Sequence, residues 1–228
     1  METTTAAGGS PPGAPVPAAG GGGPSRGTTT AGSGPDGTPA GHFRAAAHEL
    51  FARQGLGVPL ADVAKAAGLG VATLYRRYRD KDILILDVYR EHMGVPEGLA
   101  RTANDYGDPW EGIKYFLLSS TEHLMQDRGM RELVLGGYIG GAGWARTSTH
   151  EELLAALDDM EGKVTVQLEI LVDRARANRS VRADFRPTDL LLMTAMAHAA
   201  SPTKATDDPV TSRRALQLLM EGIRPPGH

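Results

Sequence analysis

The chain has 228 residues, 24 Lys or Arg against 27 Asp or Glu, a net charge of −3 and no cysteine. That length suits one compact body with a small appended module, and the missing thiols exclude disulfides, thiolate nucleophiles and thiolate metal sites. No run approaches the roughly 18 apolar residues of a membrane span, and the N-terminus lacks the cationic start and apolar stretch of an export signal; the expectation is a cytoplasmic protein with no membrane partner.

Residues 1–40 are Gly, Pro, Ala, Ser and Thr with almost no large apolar side chain. Such a segment cannot bury enough surface to offset its ordering entropy, so it reads as a disordered tail. From Gly41 the signals turn helical: Phe43, Ala46, Ala47, Leu50 and Phe51 recur at three and four residues, and Gly55 follows as a stop. Leu60, Val63, Ala64 and Ala67 make a second short helix between Pro59 and Gly68, Val71 to Tyr78 a third, and Asp80 caps a fourth that carries on to Met93. Beyond Gly94, Asp108-Pro109 opens WEGIKYFLLSSTEHLM, and Thr149 with Glu152 forms a capping box ahead of a helix running through Ala177, with Gly162 as a bend point. Pro187-Thr188 opens an almost wholly apolar helix and Asp208-Pro209 a last one. No useful strand alternation occurs. The fold class is all-α: a disordered tail (1–40), a small helix-turn-helix module (41–93) and a larger helical ligand-binding and dimerisation domain (94–228).

Charge follows the same division. Residues 41–93 hold eight Lys or Arg against six Asp or Glu (+2), residues 94–228 fifteen against nineteen (−4), and the tail supplies the remaining −1. A slightly basic small module beside an acidic larger one is what is expected when only the module meets a polyanion.

The chemistry concentrates in LADVAKAAGLGVATLYRRY, residues 60–78. Ala64 is small enough for two helices to cross at close range, Gly68 can take the left-handed turn, and Leu69 and Leu74 fill the angle between them. The second of these helices then shows Gly70, Val71, Ala72, Thr73, Tyr75, Arg76 and Arg77 outward. Small and hydroxyl side chains fit a major groove, and arginines pair with phosphates or guanine edges.

The stretch from Phe43 to Val88 resembles the DNA-binding domain of the tetracycline-repressor (TetR) family. The matching residues are AAAHELFARQG, ADVAKAAG, GVATLYRRY and DKDILILDVY, about a fifth of the chain. The resemblance implies a homodimeric repressor whose paired third helices enter successive major grooves of a double-stranded operator, and whose C-terminal domain binds a small-molecule inducer. It places Thr73 and Tyr75 at groove-facing and phosphate-contacting positions, Arg76 after the tyrosine, and Lys81 at the start of the fourth helix. Gly70 and Val71 stand where the family more often has Ser and Lys; a hydroxyl contact is given up, and Val71 offers an apolar one.

In the C-terminal region the large and soft apolar side chains, with one histidine, are the candidate lining of a pocket for a small apolar or amphipathic ligand: Trp110, Phe116, His123, Tyr138, Trp144, Met160 and Met193. The apolar helix over Leu190 to Ala200 needs cover on all sides, so Leu191 and Met196, with Leu216, Leu219 and Ile223 of the last helix, are the candidate dimer interface.

Other signals carry less. Gly68-Leu69-Gly70 follows a helix, so the phosphate-cradling geometry of a dinucleotide loop is missing. The seven histidines include no HExxH pair, and Ser119, Ser120 and His123 are not set in a nucleophile turn. No catalytic residue, metal site or cofactor is expected. The alternative function is a small-molecule binding protein or enzyme that keeps a vestigial helix-turn-helix.

Overall fold

The computed structural model describes residues 37–135, 150–199 and 209–225, and every regular element among them is helical. The tail up to residue 36 lies outside them. In chain order the α-helices are α1 (Pro39–Gln54), α2 (Leu60–Ala66), α3 (Val71–Arg77), α4 (Lys81–Tyr89), α5 (Val95–Asn104), α6 (Pro109–Gln126), α7 (Arg128–Leu135), α8 (Glu151–Ala177), α9 (Pro187–Ala199) and α10 (Pro209–Gly222). A 3₁₀ turn, His92–Gly94, links α4 to α5.

Three starts and stops differ from the sequence expectation, each for a local reason. Helix α1 begins at Pro39, because Thr38 caps it by accepting from the Gly41 amide at 3.1 Å; threonine before proline is an N-cap and first-turn pair hidden in a Gly/Pro-rich run. Helix α4 ends at Tyr89 and the chain tightens into the 3₁₀ turn, so the expected continuous lever to Met93 is broken. The cap of α8 is His150, whose Nδ1 accepts from the Leu153 amide at 3.3 Å; Thr149 lies outside the described residues. Helices α5 and α7 are additions to the expected set. Gly94, Pro96 and Gly98 mask α5 as a loop, although proline is tolerated in the first turn. Gly129 masks α7, which Asp127 caps by accepting from the Met130 amide at 2.9 Å.

Two apolar cores result. The first gathers Phe43, Ala47, Phe51, Leu74, Tyr78 and Tyr89 from the N-terminal helices with Leu124, Met130 and Leu133, and with Leu153, Leu157 and Met160 from the start of α8. The second joins Ile113, Phe116 and Leu117 to Leu168 and Leu171 of α8 and to Leu190, Leu216 and Ile223. Close approach of α5 and α6 depends on Gly112: a Cβ there would lie 2.3 Å from the carbonyl oxygen of Ala103.

Candidate nucleic-acid interface and ligand groove

Helices α2 and α3 form the turn the spacing predicts. Gly68 adopts φ +67°, where a side chain is strained, and the Leu69 amide returns to the Ala64 carbonyl at 3.0 Å. Val63, Ala64 and Leu74 are fully buried, so α3 is pinned on one side only. Its other side faces out: Val71 is 41% and Tyr75 51% exposed, and Gly70, Ala72, Arg76 and Arg77 are exposed as well. Thr73 is half-buried, and its hydroxyl accepts from Arg76 Nη2 at 3.3 Å. Gly70 begins the helix with its backbone alone, its carbonyl accepting from the Thr73 amide at 2.9 Å.

The two tyrosines of this stretch do different work. Tyr75 projects from the surface, whereas Tyr78 is buried edge-on to Phe43 with ring centroids 6.4 Å apart and donates its hydroxyl to Asp87. Burial, then the Asp87 carboxylate, pushes the Tyr78 phenol up to about 12. Tyr78 therefore fastens the end of α3 to α4. Lys81 also differs from the arginines: its ammonium sits 5.9 Å from the Phe51 ring centroid, and burial lowers its pKa. It is less available to a phosphate than Arg76, Arg77 or the exposed Arg79.

A polar joint ties the helix-turn-helix to the rest of the chain, and no local pattern in the sequence marks it. Asp127, between α6 and α7, accepts from the Tyr89 hydroxyl at 2.8 Å and from the Met130 amide at 2.9 Å, and its other oxygen lies 3.1 Å from His48 Nε2 on α1. Its hydrogen bond to Asp127 raises the His48 pKa, burial opposes, and the carboxylate charge adds to the rise. Burial works against the Asp127 carboxylate, but the donors around it win and hold it below the usual range. His92 stacks on His48 at 5.0 Å. One turn along, Glu132 accepts from the Leu56 amide at 2.8 Å and from Arg128 Nε at 2.8 Å.

The apolar members of the expected pocket among the described residues stand in both cores, and Trp110 also lines a cavity of about 460 Å³ with Gln217, Met220, Glu221 and Arg224. Trp110, Phe116 and Met193 belong to the second core and Met160 to the first. His123 is half-buried, and burial lowers its pKa. Tyr138 and Trp144 fall outside the described residues. Trp110 is stacked under Arg224, whose guanidinium carbon lies 3.6 Å from the ring centroid. A groove of about 630 Å³ instead opens between α6 and α10, with Lys114, Leu118, Thr121, Glu122, Met125, Arg213, Leu216 and Met220 among its walls. The Thr121 Oγ1 is buried there with no partner among the described residues.

The expected dimer residues lie on different sides of their helices. Leu216 is fully buried and Ile223 is 9% exposed, both inside their own chain's second core, and Leu191 and Leu219 pack half-buried against it. Met196 is 45% exposed, and it is joined on the outside by Leu192 at 44% and Leu218 at 52%. Counting three and four residues from an apolar start found the helices, but not which of their two apolar stripes faces inward.

Among the described residues no group of three or more His, Asp or Glu is placed to hold a metal ion, and no helix is long and apolar enough to cross a membrane.

Comparison with known proteins gives the family. Residues 43–88 match the model of bacterial regulatory proteins of the tetR family, and residues 108–225 match the C-terminal domain of SbtR-like transcriptional regulators. No curated protein matches the chain. Among solved structures, a TetR transcriptional regulator from Streptomyces coelicolor is 24% identical, covering 82% of this chain and 99% of its own with a TM-score of 0.50. FadR from Bacillus subtilis, solved with stearoyl-CoA, is 16% identical over 80% of this chain and 98% of its own, with a TM-score of 0.56. AibR, solved with isovaleryl coenzyme A and operator DNA, is 16% identical over 83% of this chain and all of its own (100%), with a TM-score of 0.60. At these identities the likeness speaks for the fold, while the two family matches span the helix-turn-helix and most of the body: the chain belongs to the tetR family of bacterial transcriptional regulators, with an SbtR-like C-terminal domain.

Proposed function

We propose that the protein is a homodimeric repressor that binds a pseudo-palindromic operator and is released from it by a small amphipathic ligand. The observation that carries this is α3: a rod anchored by Leu74 on one side, with Tyr75, Arg76 and Arg77 exposed on the other. Two such rods about 34 to 36 Å apart span one turn of duplex DNA. The apolar stripes Leu192 and Met196 on α9, and Leu218 on α10, are the surface that a second copy would cover. Sedimentation of the purified chain tests this part: a strictly monomeric species at micromolar concentration defeats it.

Operator binding is tested by a titration across a salt series. Arg76, Arg77 and Arg79 on each of two heads would displace counterions, giving a slope of log affinity against log salt on the order of −5. A slope near zero would instead favour a binding protein with a vestigial helix-turn-helix, the reading to which the side-chain-free cap at Gly70 points.

The ligand reading rests on the groove between α6 and α10. Its apolar wall of Leu118, Met125, Leu216 and Met220 stands beside the cations Lys114 and Arg213, a pairing that suits a chain with an anionic head. Two fold neighbours were solved with acyl-coenzyme A esters, and these are the probes of choice. Stearoyl-coenzyme A is expected to lower operator affinity, and Arg213→Glu to weaken that effect by about tenfold, the worth of one charge-assisted hydrogen bond. An unaltered response in Arg213→Glu would move the ligand elsewhere.

A further inference from the structure

His48 lies on α1, ahead of the helix-turn-helix, while Asp127 lies at the corner of α6 and α7, yet the two side chains meet at 3.1 Å. The carboxylate is almost covered, at 12% exposure, but the imidazole keeps 42%, so it exchanges protons with solvent without the joint opening. Asp127 is immobilised from its own side by the Tyr89 hydroxyl and the Met130 amide. Close packing completes the joint: a Cβ on Gly129 would lie 2.3 Å from the Tyr89 hydroxyl oxygen. Beside the shared apolar core and the Glu132–Leu56 contact, the head thus meets the body through one contact whose strength depends on a proton.

We propose that His48 and Asp127 are positioning residues, a proton-linked clasp that sets the orientation of the DNA-reading helices on the body, so that operator affinity follows the protonation of His48. This rests on the operator-binding reading above and adds a control to it. With His48 protonated, an imidazolium meets a carboxylate and the head is held in one orientation; with it neutral, the ring N–H still donates to the Asp127 carboxylate but the attraction of opposite charges is gone, and the head samples more orientations, each costing entropy when two heads must fit one duplex.

Several titratable and charged groups surround His48. From α4 it faces Tyr89, from the 3₁₀ turn His92, and from the α6–α7 corner Asp127, with His123, Arg128 and Glu132 beyond. On α1 itself Glu49 pairs with Arg53, and Arg44 lies 3.7 Å from Asp87. Tyr89 is pushed up by burial and the neighbouring Asp127, well clear of the physiological range. Burial holds His123 below its ordinary value, whereas His48 is held above its own. Because folding raises the His48 pKa above the ordinary 6.5, the contribution of the contact to the stability of the joint is fully present below that pH and is lost as the pH climbs through the raised value; operator affinity follows it to the extent that DNA favours the clasped orientation. Asp127, held below its ordinary 3.8, stays ionised throughout that window.

The test uses the full chain and a duplex that it selects from a random pool at pH 6. Wild-type affinity is expected to weaken by about tenfold between pH 6 and pH 8.5, within the usual range of a coupling between two sites. His48→Gln, whose amide copies the neutral donor, is expected to bind at the wild type's high-pH level throughout. For this comparison both proteins carry His92→Gln, because His92 stacks on His48 at 5.0 Å and would not titrate independently of it; His42 and the remaining histidines are common to both, so their share cancels. By reciprocity the duplex must raise the His48 pKa, read from its imidazole proton signals in the full chain. Asp127→Asn should flatten the profile likewise, and His48→Gln serves alone if that variant does not fold. Parallel pH profiles for wild type and His48→Gln, or a His48 pKa that the duplex leaves unmoved, overturn the clasp and leave the regulator standing. If no duplex is selected at all, both are lost.

Discussion

Replacing Arg76 and Arg77 together by alanine takes four cations from the dimer and is expected to weaken operator binding on the order of a thousandfold, at about one kcal/mol for each cation withdrawn from the DNA. Both side chains are exposed. Arg76 reaches Thr73 at 3.3 Å, and Arg77 lies 6.0 Å from the Tyr78 ring centroid, so the fold depends little on either. Surface changes of this kind move stability by about half a kcal/mol. The double variant should therefore melt with the wild type while releasing DNA, and its salt dependence should flatten because fewer counterions are displaced. Fluorescence anisotropy with a labelled duplex reads both quantities. Equal affinity in the variant would mean that α3 does not meet the phosphates.

Gly129→Ala carries the largest expected cost to stability. Alanine favours a helix over glycine by about 1 kcal/mol, and α7 would take that gain in isolation. Here the new methyl would lie 2.3 Å from the Tyr89 hydroxyl oxygen, 2.9 Å from Phe51 Cβ and 3.1 Å from the Phe51 carbonyl oxygen. Phe51 is fully buried and its carbonyl is backbone, while the Tyr89 hydroxyl is fixed by Asp127. None of the three can swing aside, so α7 must lift from α1 and part of the first core must open. A net loss of about 2 to 3 kcal/mol follows, seen as a fall in melting temperature of roughly 5 to 10 °C for a chain of this size. Gly98→Ala, in α5 with nothing within 4 Å of its Cβ position, is the matched control and should be neutral or stabilising.

What the sequence made legible is what short-range pattern encodes. The turn at Gly68, the anchor at Leu74 and the outward Tyr75, Arg76 and Arg77 all follow from spacing within nineteen residues, 60–78. The long α8 was equally plain, since Leu153, Leu157, Met160, Val164 and Leu168 repeat along it and Gly162 does not interrupt it. Its cap was not, because histidine is an uncommon N-cap and Thr149 with Glu152 offered a commoner pattern. The joint of His48, Tyr89, Asp127 and Glu132 was invisible for a different reason: the hydrogen bonds by which Asp127 and Glu132 hold His48, Tyr89 and the Leu56 amide join residues 38 to 79 apart. Asp127 reads as an ordinary charged residue at a helix end until its neighbours are seen. Bulk and softness describe core and cavity alike, and Trp110, Phe116, Met160 and Met193 all stand in the apolar cores. Leu216, expected at a dimer interface, proves to be core and groove wall at once.

Helix α8 has one more consequence. Its 27 residues, about 40 Å long, lay Leu153, Leu157 and Met160 under the reading head and Leu168, Leu171 and Ala175 within the body. A chimera that grafts this head onto another regulator's trunk would set Phe51 and Tyr89 on a floor cut for foreign side chains. Such a swap keeps its recognition helix only if the first three turns of α8 and the Asp127 corner travel with it.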